Sequence, residues 1–229
     1  MLKTFTATVL MFLAVGLATG QAPPVTAEQR LAAMLEAMGG SAAWSALSGV
    51  KVTATHYSTR FRLPYKNVIW NDFAAPRTRT EILSAEINRI VVLDRKTGWR
   101  RDQTETRFLT EPEIIEEQRW WESNPYRTIQ RLAKSDPDLS VKLIEPDHLG
   151  VSRKDGTRLN WFRLNQTNEP IAFGTWDAED GTIFGPLVKS KYGIRHPRWV
   201  SRPDGRWRAE ILEFTPFRKK IEFETNQPN

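Results

Sequence analysis

The sequence predicts an α+β protein, mainly antiparallel β, in which one curved sheet wraps around an N-terminal helix and further helices in mid-chain. Three observations lead there. The hydrophobic period is helical over 27–38 and changes to 2 from Val50 onward. A charged helical stretch at 111–133 interrupts the strands. Asp-Gly dipeptides at 155–156, 180–181 and 204–205 then punctuate a second series of alternating segments, as tight hairpins prefer. A helix apolar along one stripe and strands apolar on one face bury that surface most economically against each other.

The chain opens with a targeting pattern. Lys3 gives a short positive start, residues 9–18 form an apolar core, and Ala18-Thr19-Gly20 places small residues where a signal peptidase reads. Residues 1–20 are therefore expected to be a signal peptide, cleaved before Gln21, with 21–229 exported to the periplasm as a single domain. The alternative, an uncleaved anchor, needs a longer apolar run.

Thr26 and Gln29 form a capping box, and Leu31, Met34, Leu35 and Met38 follow on one helical face. Gly39-Gly40 ends this helix, and Ser41 is expected to cap a second, short one carrying Trp44 and Leu47. Strands are expected from Val50 to Tyr57, through Phe61, Leu63 and Tyr65 to Phe73, at 78–82 and at 87–93, with a turn at 94–98 before Trp99. Helices follow at 111–122 and 126–133, separated by the Asn124-Pro125 breaker. Later strands are expected at 158–164, 171–176, 187–192, 207–214 and 219–225. In the last, Ile221 and Phe223 alternate with Lys220, Glu222 and Glu224.

Composition narrows the function classes. Thirty-three Lys+Arg against 27 Asp+Glu leave a net charge of +6 and a pI near 9.7. That excess is modest for a nucleic-acid binder, and export removes nucleic acid as a natural partner; an anionic membrane surface or an acidic ligand fits better. There is no Cys, hence no lipid attachment through cysteine, no thiol nucleophile and no disulfide. The domain must stabilise itself by its own core, and a mean hydropathy of −0.49 agrees with a soluble product.

Catalytic and metal patterns are missing. His56, His148 and His196 do not stand at metal-ligand spacing, and no H-E-x-x-H, G-x-S-x-G, phosphate loop or G-x-G-x-x-G occurs. No metal, cofactor or catalytic residue is expected. The carboxylates at 111–122 read as a solvated helix face. Two features remain. One is aromatic: nine Trp in all, with Trp70, Trp99, Phe108, Trp121 and Trp161 as candidate ligand contacts. The other is a set of arginines, of which Arg60, Arg62 and Arg79 are the candidates for an anionic headgroup. Their plain alternatives are a Trp-rich core and a solvated sheet face with cross-strand Glu partners.

The capped helix running into Met38-Gly39-Gly40, then Ala43-Trp44-x-x-Leu47-x-x-Val50, then Asn124-Pro125-x-x-x-Ile129-x-x-Leu132 resembles the LolA-like periplasmic lipoprotein-carrier superfamily. The resemblance implies an open β half-barrel closed by helices, with an apolar cavity that shields acyl chains. None of that family's functional residues maps onto this chain. The leading expectation is a monomeric, non-catalytic periplasmic carrier or sensor of a lipid or an acylated lipoprotein. A binding or assembly protein whose concavity is filled by its own side chains, and a secreted hydrolase, are the alternatives.

Overall fold

The computed structural model describes residues 25–176 and 181–226. The expected signal segment and its cleavage point lie outside them, as does Asp180 of the second Asp-Gly pair. Helix α1 (Ala27–Ala37) starts where expected: Thr26 Oγ1 accepts from Gln29 N at 3.2 Å, and Gln29 Oε1 accepts from Thr26 N at 2.9 Å. The chain then turns through Gly39, whose φ is +105° and whose missing Cβ would lie 2.6 Å from the Gly193 carbonyl oxygen. Helix α2 (Ser41–Ser45) begins at Ser41 itself, with Gly40 in the cap position where Ser41 was expected.

Strands β1 (Gly49–Ser58), β2 (Tyr65–Asp72), β3 (Arg77–Leu83), β4 (Asn88–Asp94), β5 (Thr97–Asp102) and β6 (Glu105–Phe108) form an antiparallel meander. Helices α3 (Glu111–Glu122) and α4 (Pro125–Ala133) follow. Thr110 and Glu113 box the start of α3. Asn124 Oδ1 accepts from the Tyr126 and Arg127 amides at the start of α4, where Pro125 needs no hydrogen-bond acceptor. Strands β7 (Leu139–Glu145), β8 (His148–Arg153), β9 (Arg158–Leu164), β10 (Pro170–Thr175) and β11 (Thr182–Phe184) come next. The small β12 (Leu187–Lys189) and β13 (Arg195–Pro197) precede β14 (Trp199–Ser201) and β15 (Trp207–Phe217).

Thirteen strands make one open sheet in the order β6-β5-β4-β3-β2-β1-β15-β14-β11-β10-β9-β8-β7, while β12 and β13 pair separately. The long β15 joins the two series of strands through β1. Its register shifts against β1 between Thr53 and Ala54, which leaves Leu212 as an extra, 64% exposed residue. This bulge lets Ile211 and Phe214, three residues apart, both face the core. The mainly antiparallel, curved, open half-barrel is the architecture expected from the sequence.

The inner face of the sheet carries α1, α2 and α4. Met34, Leu35, Trp44, Ile129, Phe162 and Phe214 belong to one buried cluster there, and Trp44, placed inside it with no exposure, donates its Nε1–H to the Met38 carbonyl at 2.9 Å. The outer face of β3–β5 is covered by the C-terminal segment. Arg79 Nη1 donates to the Glu224 carbonyl at 3.0 Å, Trp99 Nε1 to that of Thr225 at 2.8 Å, and Arg77 lies 5.1 Å over the Phe223 ring. Ile221 is fully buried.

Three expected strands differ. Residues 59–64 form the β1–β2 connection rather than strand, since Pro64 has no N–H for a ladder. Residues 187–192 give only the three-residue β12. Residues 218–226 keep the expected alternation, with Ile221 inward and Glu222 and Glu224 outward, but form no ladder: side chains of the sheet bond their carbonyls instead.

Candidate functional site

The helices fill only part of the trough. Beside them, between α3 and α4 and the inner faces of β1–β4, β10, β11, β14 and β15, lies a cavity of about 840 Å³. Strand alternation builds its wall. The even residues of β1 (Val50, Val52, Ala54, His56) face it, as do the odd residues of β2 (Asn67, Ile69, Asn71) and of β15 (Trp207, Ala209, Ile211). Val91, Phe173, Phe184 and Val200 complete the apolar wall, and Tyr126 and Trp120 close it from the helices. Exposed Trp120, Arg202, Pro203 and Asp204 mark where the cavity meets solvent.

The buried polar groups on this wall are uncharged. His56 Nδ1 accepts from Trp207 Nε1 at 3.2 Å, and burial lowers its pKa to about 4, so the imidazole is neutral near pH 7 with its proton on Nε2. Burial raises the pKa of the Tyr126 hydroxyl, which makes no hydrogen bond among the described residues. Asn71 is 1% exposed, and neither its Oδ1 nor its Nδ2 has a partner; Asn67 Oδ1 has none either. Charge lies toward the margins. Arg89 is paired with Asp102 at 2.5 Å, and burial beside Glu116 raises the pKa of Glu117. Helix α3 is held over this side by Glu113, which bonds both Arg107 (2.7 Å) and Arg100 (3.2 Å); the Arg107 guanidinium keeps its carboxyl well below the usual range.

None of the eight residues picked out as ligand contacts lines the cavity. Trp70 is on the outer face of β2, with Lys51 Nζ 5.2 Å from its ring. Trp99 and Arg79 lie on the outer face under the C-terminal segment, and Phe108 is 68% exposed on the edge strand β6. Trp121 is buried, donates to the Asp72 carbonyl and carries the Arg127 guanidinium 3.7 Å over its ring. Trp161 is on the outer face of β9, its Nε1 bonded to the Thr175 carbonyl. Arg60 and Arg62 lie outside it as well. They are exposed in the β1–β2 connection, which the Thr59 N–Arg206 O bond ties to the same end of the trough as Arg202 and Asp204.

The residues that do line the cavity were reachable through strand parity. Trp70 is large and conspicuous, but its neighbours Ile69 and Asn71 share the inner face. Asn67 and Asn71 stand at alternate positions around Ile69, where an outward polar face would put them in water; only the pairing of β1 with β2 turns them inward.

Glu145, Asp147 and His148 come within 4.8 Å of one another. Both His148 nitrogens are already used, Nδ1 with Glu145 Oε2 (2.8 Å) and Nε2 accepting from Arg163 Nε (2.9 Å), so the group is a hydrogen-bond chain between side chains. No helix among the described residues is long and apolar enough to cross a membrane.

No family model matches the chain, and no curated protein matches it. Solved structures with a similar course of the chain include a DUF1329 family protein from Desulfovibrio piger, at 10% identity and a TM-score of 0.45, covering 83% of this chain and 92% of that one. Another is a domain from Vibrio parahaemolyticus assigned to the outer membrane lipoprotein-sorting proteins, at 6% identity and a TM-score of 0.36, covering 83% and 93%. A third is MucB in complex with MucA(peri), at 11% identity and a TM-score of 0.21, covering 81% and 55%. The functional reading rests on the geometry of the cavity itself.

Proposed function

We propose that this protein is an exported periplasmic carrier or sensor that shelters the acyl chains of a lipid or lipoprotein in the unfilled part of its trough. One observation carries the reading: an 840 Å³ cavity, lined mainly by apolar side chains with a few polar ones among them, lies beside the buried core. Its size falls in the range of roughly 300–1,000 Å³ usual for small-molecule sites. Burying a chain of about 16 carbons gains on the order of 12 kcal/mol before ordering and association costs, enough for micromolar binding with few polar contacts. Arg60, Arg62 and Arg202 at the open end suit an anionic headgroup as a secondary, salt-sensitive attraction. No bond-making step is needed, so the proposed role is binding rather than catalysis.

The test is titration of lipid-stripped protein with a fluorescent fatty acid. Saturable binding at micromolar concentration that largely survives high salt is expected. Trp120 and Trp207, the indoles on the cavity wall, should report it, while Trp70→Phe and Trp121→Phe should leave the signal unchanged. Ala209→Phe, which puts a ring into the cavity, should weaken binding at least tenfold. No saturable binding at tens of micromolar would return the protein to the class of binding or assembly factors without a lipid.

A further inference from the structure

Away from the margins of the cavity, where Arg89, Glu117, Arg202 and Asp204 stand, its wall carries a row of uncharged hydrogen-bonding groups whose capacity the protein does not use. On β2, Asn67 and Asn71 flank Ile69 on the inner face. Asn71 has both side-chain polar atoms buried without a partner, whichever way its carboxamide is turned, and Asn67 Oδ1 is in the same state. His56 stands one strand over, diagonal to Asn67, with Nδ1 taken by Trp207 and Nε2–H unused among the described residues. The Tyr126 hydroxyl on the helix side is also unused. Four residues of strand put Asn67 and Asn71 about 13 Å apart. Buried carboxamides are ordinarily paired, and two of them left without partners on residues of one cavity wall call for an explanation in the ligand.

The kind of group they want follows from their chemistry. A carboxylate or ammonium buried among neutral groups would pay full desolvation without a counter-ion, so the buried part of the ligand is uncharged. A plain hydrocarbon chain would leave the carboxamides as they are. An ester carbonyl could accept from an Asn Nδ2 but offers nothing to the Oδ1 acceptors. A hydroxyl or an amide N–H supplies the missing donor, and either group can also accept through its oxygen.

We propose that the cavity selects acyl chains that carry a hydrogen-bond donor, a hydroxyl or an amide N–H, within their buried length, with Asn67 or Asn71 as its receptor. The inference rests on the acyl-binding reading above and sharpens it to a ligand class. Polar pairing then sets specificity, while apolar burial supplies affinity. A site built to pair a donor discriminates against the analogue that lacks it, because the site's own groups stay unpaired.

The experiment uses three uncharged competitors against a bound fluorescent fatty acid on lipid-stripped protein: methyl myristate, methyl β-hydroxymyristate and N-methylmyristamide, all below their aggregation thresholds. Either donor-bearing competitor, or both, should bind about tenfold more tightly than methyl myristate, and which of the two does so tells hydroxyl from amide. In one of Asn71→Leu and Asn67→Leu, both shown folded by their thermal transitions, the ratio should fall toward one. Equal affinity of all three for the unmodified protein overturns this inference and leaves the carrier reading standing. So does a preference that persists in both variants. Failure of all three to compete, with the fluorescent acid itself unbound, overturns both.

Discussion

Two stretches of the same trough treat buried polar groups differently. Where α1, α2 and α4 fill it, such groups are paired: Thr128 Oγ1 donates to Asn160 Oδ1 (2.7 Å), Asn160 Nδ2 to the Ser123 carbonyl (2.8 Å), and Gln130 Nε2 to the Leu47 carbonyl (2.9 Å). The exceptions there are arginines: Arg30 Nε on α1 has no partner, and Arg127 has two unpartnered nitrogens, its guanidinium compensated by the Trp121 face. Where the trough is unfilled, Asn67 and Asn71 are unpaired and His56 is neutral. A core contributes stability by satisfying its polar groups, and a binding site holds some of them in reserve. The filled stretch therefore reads as structure and the unfilled one as the place of interaction.

The widest separation between the two should come from truncation. Trp44→Ala removes a fully buried indole stacked 6.2 Å from Tyr126 and should cost about 3–5 kcal/mol in urea unfolding. Ile69→Ala, on the cavity wall, borders space that already exists and should cost about 1 kcal/mol or less while weakening fatty-acid binding. Equal costs would mean that the wall of the cavity is as tightly packed as the filled core.

Acid should act on the unfilled stretch through His56. Its pKa is near 4 in the native protein against 6.5 for an unperturbed histidine, so the unfolded chain binds a proton first as the pH falls. Stability from keeping the imidazole neutral is complete above pH 6.5, declines as the pH drops and is lost by about pH 4, a change of about 3 kcal/mol. His196, lowered by burial as well, adds in the same direction. Unfolding measured at pH 7 and pH 4.5 should show the decline, and His56→Gln should flatten it relative to the unmodified protein. An unchanged slope would place the imidazole in contact with water.

A smaller effect should differ in sign. Asn160→Leu breaks two hydrogen bonds, one buried and one partly buried, and strands Thr128, which should cost about 1–3 kcal/mol. Asn71→Leu replaces a carboxamide without partners and should be neutral or slightly stabilising. If both cost the same, Asn71 is satisfied in solution and the contrast between the stretches fails. Smallest of all should be the rim. Arg202→Gln, or Arg60→Gln with Arg62→Gln, should weaken binding to anionic vesicles by about 1 kcal/mol per charge at low salt, with little effect at high salt.

Much of the fold was legible residue by residue. The Thr26 box, the stripe Met34, Leu35 and Met38, the glycine stop, the limits of α3 and the alternation of β1, β3, β4 and β9 all follow from neighbours a few positions apart. Trp44 was placed in the right element, but its depth was not legible, because depth depends on α4 and β15, remote in sequence. The candidate site was much less legible. Aromatic size drew attention to Trp70, Trp99 and Trp161, whose indoles face outward, while the modest Asn67 and Asn71 face in.

By itself the sequence determined the periods, caps and turns of this protein, its lack of cysteine chemistry and the general form of a sheet curved around helices. These are local properties, set by backbone geometry and by hydrophobicity counted along the chain. Only the tertiary structure decided which side of each strand is inner, how much of the trough the helices fill, and that residues 218–226 cover the outer face without joining a ladder. Those outcomes depend on registers between segments such as β1 and β15, separated by some 150 positions, where one residue of slip exchanges every inner side chain for an outer one.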